Sequence, residues 1–195
     1  MKYAITLLMV FLPSFTYALN QIELIPSGKS ALQESIKYSA PFKKEYYSGL
    51  EIGDTLSKAM VMLEGQDNQS YRVAFQLETS LSVNAEGPHL DLTDWKHCTT
   101  EWHQLNVAGG KGVVLPNFDE VNVDCFPEVS HDEIKEAVLA QGGEEWVRIF
   151  EGEGWPDGYS PVEISLSTVR IKIEKLISAQ WRVVTVINIA IPMGC

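Results

Sequence analysis

Three patterns predict an α+β protein built on a mostly antiparallel sheet. Residues 71–83 alternate apolar and polar side chains with period two over an unusual length. Residues 162–177 and 180–191 give two more strand patterns separated only by Ser178-Ala179, so they are expected to form an antiparallel hairpin. Helical patterns are grouped apart from these strands instead of alternating with them, which argues against a parallel βαβ sheet. A few packed helices complete the expected fold. A β-sandwich with an appended helical hairpin is the alternative architecture.

The elements follow in chain order. Residues 1–18 combine Lys2, an apolar run over residues 4–12, a break at Pro13 and small residues at Thr16-Tyr17-Ala18. That is the pattern of a secretory signal peptide cut after Ala18, and the apolar run is too short to cross a bilayer as a helix. Residues 19–195 are then expected to form a single globular domain. Ser30 and Gln33 form a capping box for a short helix that ends before Pro41, with Ala31, Leu32 and Ile36 on its docked face. Asp54 can cap a second helix, in which Leu56, Ala59, Met60 and Leu63 recur at helical spacing before Gly65 stops it.

In the long strand, Tyr71, Val73, Phe75, Leu77, Thr79, Leu81 and Val83 share one face, toward a core. Arg72, Gln76, Glu78, Ser80 and Ser82 share the other, toward water. Residues 92–105 show neither period, and residues 113–115 and 121–125 read as short strands. Ser130 and Glu133 form another capping box, opening a helix that Gly142-Gly143 kinks and residues 144–150 resume. A loop rich in Gly and Pro leads to the C-terminal hairpin. There Val183-Val184-Thr185-Val186-Ile187 is apolar on both faces, the mark of a central strand, and Pro192 ends it.

Charge and cysteines set the functional frame. The formal net charge is −11, and −12 once Lys2 leaves with the signal peptide. Such a balance disfavours nucleic acid and anionic lipid and makes a cationic protein the natural partner. Cys98, Cys125 and Cys195 are the three cysteines. In an oxidising compartment Cys98 and Cys125 are expected to pair, leaving Cys195 at the terminus.

Sites with defined chemistry are poorly matched. Ser27-Gly28-Lys29-Ser30 resembles the end of a P-loop, but Glu23 occupies the position of the first glycine. His97, Glu101 and His103 share parity, yet an extended strand would hold the two histidines roughly 20 Å apart, too far to share a zinc ion. Glu120, Asn122 and Asp124 follow the start of a calcium loop, but Cys125 replaces its glycine and His131 its final Glu. No Gly-x-Ser-x-Gly elbow occurs. No metal, cofactor or catalytic residue is therefore assigned.

The loop over residues 151–159 is the expected binding surface. Trp155 and Tyr159 supply aromatic anchors, and Glu151, Glu153 and Asp157 supply an acidic rim. Its competing role is to cap the sheet with its aromatics. The expected function is that of an exported, non-catalytic binding protein, periplasmic or secreted. Its most concrete form is an immunity or inhibitor protein that neutralises a toxin or hydrolase. A secreted hydrolase with a dispersed site and a structural envelope component, dimerising through the hairpin, are the alternatives.

Overall fold

The computed structural model describes residues 19–28, 35–51, 54–65, 71–84, 89–105, 107, 112–121, 125–152 and 161–193. Among these the strands are β1 (Leu19–Gly28), β2 (Ile36–Ser39), β3 (Glu45–Gly49), β4 (Asp54–Gly65), β5 (Tyr71–Asn84) and β6 (His89–Asp91). They continue with β7 (His97–Thr99), β8 (His103–Leu105), β9 (Gly112–Val114), β10 (Val162–Ile177) and β11 (Gln180–Ala190). A 3-10 turn spans Phe118–Glu120, and a helix, α1, spans His131–Phe150. The fold is mostly β with one helix, in keeping with the expected α+β class.

The strands form two sheets. The smaller has the order β2-β1-β4-β9, all antiparallel. The larger has the order β3-β11-β10-β5, and β5 continues on its far side to β6, β7 and β8 in turn. Among the described residues only the β3–β11 pair is parallel. Ile22 and Leu24 of β1, Val61 and Leu63 of β4, Val73 of β5, Ile171 of β10 and Ile187 of β11 belong to one core, so the two sheets share it. A second core joins Leu81 and Val83 of β5 to Ile134, Val138, Val147 and Phe150 of α1. Both cores use odd-numbered residues of β5, which lie on one face. The small sheet therefore covers the Tyr71 end of that face, and the helix covers its Val83 end.

The period-two pattern locates β5 and the C-terminal hairpin, and the capping box locates α1. Ser130 accepts from the backbone of Glu133 at 3.3 Å, while the Glu133 carboxylate accepts from the Ser130 backbone at 2.9 Å. The expected kink is at Gly143, whose φ of 75° and ψ of −172° are far from helical. At Gly142 an added Cβ would come within 2.6 Å of Leu90 and 2.7 Å of Trp146, so this glycine permits close docking of α1.

Other elements differ from the expectation. The helix expected at Asp54 is strand β4. Lys58 takes a left-handed φ of 63°, and the buried positions step from Leu56 to Ala59, then to Val61 and Leu63. One irregular residue turns a strand's spacing into an apparent helical one. Of the helix expected between Ser30 and Pro41, residues 36–39 are strand β2 and residues 30–34 lie outside the described set. The short strand expected at 121–125 also falls partly outside; Val121 is in a bend and Cys125 in a turn.

The polar face of β5 is not in water along its whole length. Glu78, Ser80 and Ser82 are buried, because neighbouring groups satisfy them. The Ser80 and Ser167 hydroxyls lie 2.8 Å apart, Ser167 donates to the Glu78 carbonyl at 3.2 Å, and the Glu78 carboxylate pairs with Arg170. The central strand of the hairpin is β10 instead of β11. β10 has partners on both sides, whereas β11 meets β3 only from Val186 to Ala190. A register shift beside Glu174 displaces Val184, and Val183 is 53 % exposed.

Two backbone positions give direct tests. The hairpin turn places Ser178 at φ 49° and Ala179 at φ 63°, the conformation that Asn-Gly adopts most easily. The double substitution Ser178→Asn, Ala179→Gly is expected to raise stability by about 1 kcal/mol in denaturant unfolding; a loss would contradict the turn geometry. A Cβ added at Gly143 would meet no atom within 4 Å, yet the backbone angles there belong to a region essentially reserved for glycine. Gly143→Ala is expected to cost about 1–3 kcal/mol despite the open space, and an unchanged unfolding midpoint would show that the kink tolerates other angles.

Candidate functional site

Charge is segregated along the fold. α1 holds five carboxylates, Asp132, Glu133, Glu136, Glu144 and Glu145, against Lys135 and Arg148. Its buried stripe faces the sheet, and Asp132, Glu136, Glu144 and Glu145 are exposed together with Leu139. The helix thus presents an acidic outer surface with an apolar side chain in it.

The N-terminal end of this surface is fixed by several contacts. Lys96 binds the Glu133 carboxylate at 2.5 Å, and Cys98 and Cys125 lie at disulfide distance with Cα atoms 5.5 Å apart. A bridge closing this interval would stabilise by about 3–4 kcal/mol in the chain-entropy model. β7 and the segment leading into α1 are thereby held together. The Lys96 ammonium, then the backbone N–H and hydroxyl of Ser130, pull the Glu133 carboxyl from 4.5 down to about 2.

The C-terminal end leads into the loop expected to bind a partner. Glu151 caps the helix and bonds to Lys135 at 2.8 Å, which lowers the pKa of Glu151 and raises that of Lys135. Its charge is thus already matched within the protein, and it contributes less to an acidic rim than the sequence suggests. Glu153, Trp155, Asp157 and Tyr159 lie outside the described residues. The exposed carboxylates of α1 were missed as part of the surface. The i, i+4 spacing of Asp132 and Glu136 within the expected helix was the signal that could have found them.

The outward face of the large sheet is a second candidate. Arg72 bonds to Glu174 at 2.7 Å, and Arg170 pairs with Glu78. Lys172 sits 4.3 Å from the Trp102 ring centroid, and the Arg72 guanidinium 4.5 Å from that of Trp181. Charges here are neutralised across strands or stacked on aromatic faces, an arrangement that orders a platform.

Between the sheets, near the Lys58 bulge, lies a cavity of about 280 Å³ lined by Thr55, Leu56, Ser57, Leu77, Phe118, Val121, Leu166 and Ile191. Two hydroxyls are its polar side chains, and no titratable group lines it. The sequence-derived metal candidates do not converge. His97 is opposite Ser80 and His103 opposite Phe75, about 16 Å apart along β5. His103 stacks on Phe75 instead, with ring centroids 5.0 Å apart. Glu120 accepts from the Asn117 side chain at 3.3 Å, while Asn122 and Asp124 lie outside the described residues. Ser27 and Gly28 belong to β1, with the Ser27 hydroxyl donating to the Ser57 carbonyl, so they form no phosphate cradle; Lys29 and Ser30 are outside the described set. Among the described residues no group of three or more His, Cys, Asp and Glu side chains is placed to hold a metal ion.

Comparison with protein-family models, curated proteins and solved structures finds no match to the chain.

The helix cap carries a pH dependence of defined sign. A carboxyl whose folded pKa is depressed contributes stability that is complete above its unfolded value and lost as pH falls toward the folded one. For Glu133 that window runs from about 4.5 down to about 2. Glu133→Gln is expected to make the fall of Tm with acidification through this window shallower than in the unsubstituted protein. Parallel Tm curves in the two proteins would show that the Lys96–Ser130 contacts do not stabilise the fold.

Proposed function

We propose that this protein is an exported binding protein without catalysis of its own, and in its most concrete form an immunity or inhibitor protein. It would neutralise a cationic toxin or hydrolase in the periplasm or outside the cell. The observation that carries this reading is the acidic outer surface of α1, which ends at Glu151, where the sequence stretch 151–159 expected to contact a partner begins. Asp132, Glu136, Glu144 and Glu145 would steer a cationic partner toward Leu139 and the loop aromatics Trp155 and Tyr159. Steering by exposed charge acts mainly on the association rate, while a desolvated aromatic anchor acts on dissociation. The signal-like residues 1–18 and the disulfide-distance pair Cys98 and Cys125 support an oxidising compartment.

The test begins with cross-linking and affinity capture from native envelope fractions at low and high salt. A cationic protein retained at low salt and released as salt rises is the expected result. Trp155→Ala is then expected to weaken its binding roughly tenfold or more, and Asp157→Lys to slow association, with Tm unchanged in both. A Tm lowered by Trp155→Ala with affinity intact would assign that side chain to packing and overturn the loop as contact surface. Hydrolytic activity in the purified protein, abolished by substitution of His97 or His103, would replace the reading with an enzymatic one.

A further inference from the structure

The acidic helix and the C-terminal hairpin tip are opposites in charge. β10 stays paired with β5 as far as Lys175 opposite Tyr71, and the hairpin then continues as a two-stranded ribbon through Leu176, Ile177 and the turn to Trp181. Leu176, Ile177, Trp181 and Val183 are 41, 43, 37 and 53 % exposed. Adjacent strand residues face opposite sides, so Leu176 with its cross-strand neighbour Trp181 marks one face and Ile177 the other. The ribbon is therefore apolar on the Leu176–Trp181 face, and on the other an exposed Ile177 stands beyond the cross-strand cations Lys175 and Arg182. Lys175 at its base and Arg182 opposite it are its cations, and Arg72 stacks on Trp181 beside them. Over residues 172–182 the single acidic residue is Glu174, and Arg72 neutralises it.

We infer that this tip docks shallowly on an anionic lipid surface. The argument rests on shape and charge together. A flat protein partner would cover one side of the ribbon, whereas a bilayer interface surrounds both. A Trp beside Lys and Arg is the combination that settles at the boundary between headgroups and acyl chains, with apolar body inward and cation toward phosphate. The insertion is shallow because, among the described residues, β11 has no partner on its outer edge before Val186. Open backbone N–H and C=O groups stay within reach of water at the headgroup level but would be costly in hydrocarbon.

The carboxylates of α1 do not oppose this docking. The tip lies at the Tyr71 end of β5 and α1 at the Val83 end. Twelve residues of strand separate them by about 40 Å, several times the Debye length of about 8 Å at physiological salt. The carboxylates of α1 are screened from a membrane touching the tip.

The experiment is vesicle co-sedimentation of the chain from Leu19 onward, which contains every described residue, thereby removing the apolar run of residues 4–12. Vesicles of phosphatidylglycerol with phosphatidylcholine are compared with phosphatidylcholine alone. The expected result is binding to the anionic vesicles at least about fivefold stronger than to the neutral ones, weakening as salt rises. Ile177→Asp and Arg182→Glu are each expected to lower binding about tenfold with unchanged Tm. Val114→Asp, at an exposed apolar position of the small sheet, is expected to bind as the unsubstituted protein does. Absence of binding, or equal binding by Ile177→Asp at unchanged Tm, overturns the inference. So does a concentration-dependent dimer in light scattering that Ile177→Asp abolishes without any vesicle binding, which would assign the tip to a second copy of the chain. These outcomes are independent of partner capture by α1 and its loop.

Discussion

The antiparallel ladder between β5 and β10 organises the molecule. It runs from Val162 opposite Val83 to Lys175 opposite Tyr71, and every other strand of the large sheet is attached to one of its two strands, β3 through β11. β11 and then β3 extend from β10; β6, β7 and β8 line the outer edge of β5. The inward residues Val73, Phe75 and Leu77 meet Val169, Ile171 and Ile173 in the core shared with the small sheet. Burying such side chains is worth roughly 1.5–3 kcal/mol each before conformational entropy is counted. The outward residues are arranged differently. Arg72 with Glu174 and Arg170 with Glu78 are cross-strand ion pairs directly on the ladder or one step diagonal to it. Their value is less in net stability, which for partly exposed pairs is small, than in fixing register, since a shift by one residue would place these charges in the core.

The same ladder sets the distance between the acidic helix and the hairpin tip. One end of β5 carries the helix with its exposed carboxylates, and the other lies beside the cationic, apolar ribbon. The strand pair between them keeps the opposite charges apart, so that neither neutralises the other. A protein docked by its ribbon would present α1 away from the lipid surface.

How much of this was legible in the sequence depends on how regular each element is. β5 was readable because alternation over many residues, with Ala74 its one apolar exception, has no other simple explanation, and the hairpin because two long strand patterns are separated only by Ser178-Ala179. α1 was readable from its ends and its break, Ser130 with Glu133 and Gly142 with Gly143. β4 was misread because the left-handed Lys58 adds one residue between Leu56 and Ala59. β1 was not recognised; its register against β4 slips twice, between Leu19 and Gln21 and between Ile25 and Ser27, which destroys strict alternation. β6, β7 and β8 have three residues each, too few for a period to emerge. At the candidate site the acidic character of Glu151 was visible, but its pairing with Lys135 was not, because the helix brings together residues sixteen positions apart. The exposed ribbon tip was hidden for a related reason. Apolar residues at 176, 177, 181 and 183 read as sheet core until the extents of β3 and β5 are known.

The distance in sequence between β5 and β10 has a consequence for the order of events during synthesis. Residues 71–84 leave the ribosome long before residues 162–177, which form their principal partner. Until then the inward face of β5 can meet only the small sheet and α1, and one edge the short strands β6, β7 and β8, while its other hydrogen-bonding edge waits. Contacts so far apart along the chain form slowly, because loop closure must precede the gain from pairing. A chain lacking its last thirty or so residues would therefore not be a slightly shortened version of this protein. It would lack the middle lane of its larger sheet, and with it the register that holds the rest in place.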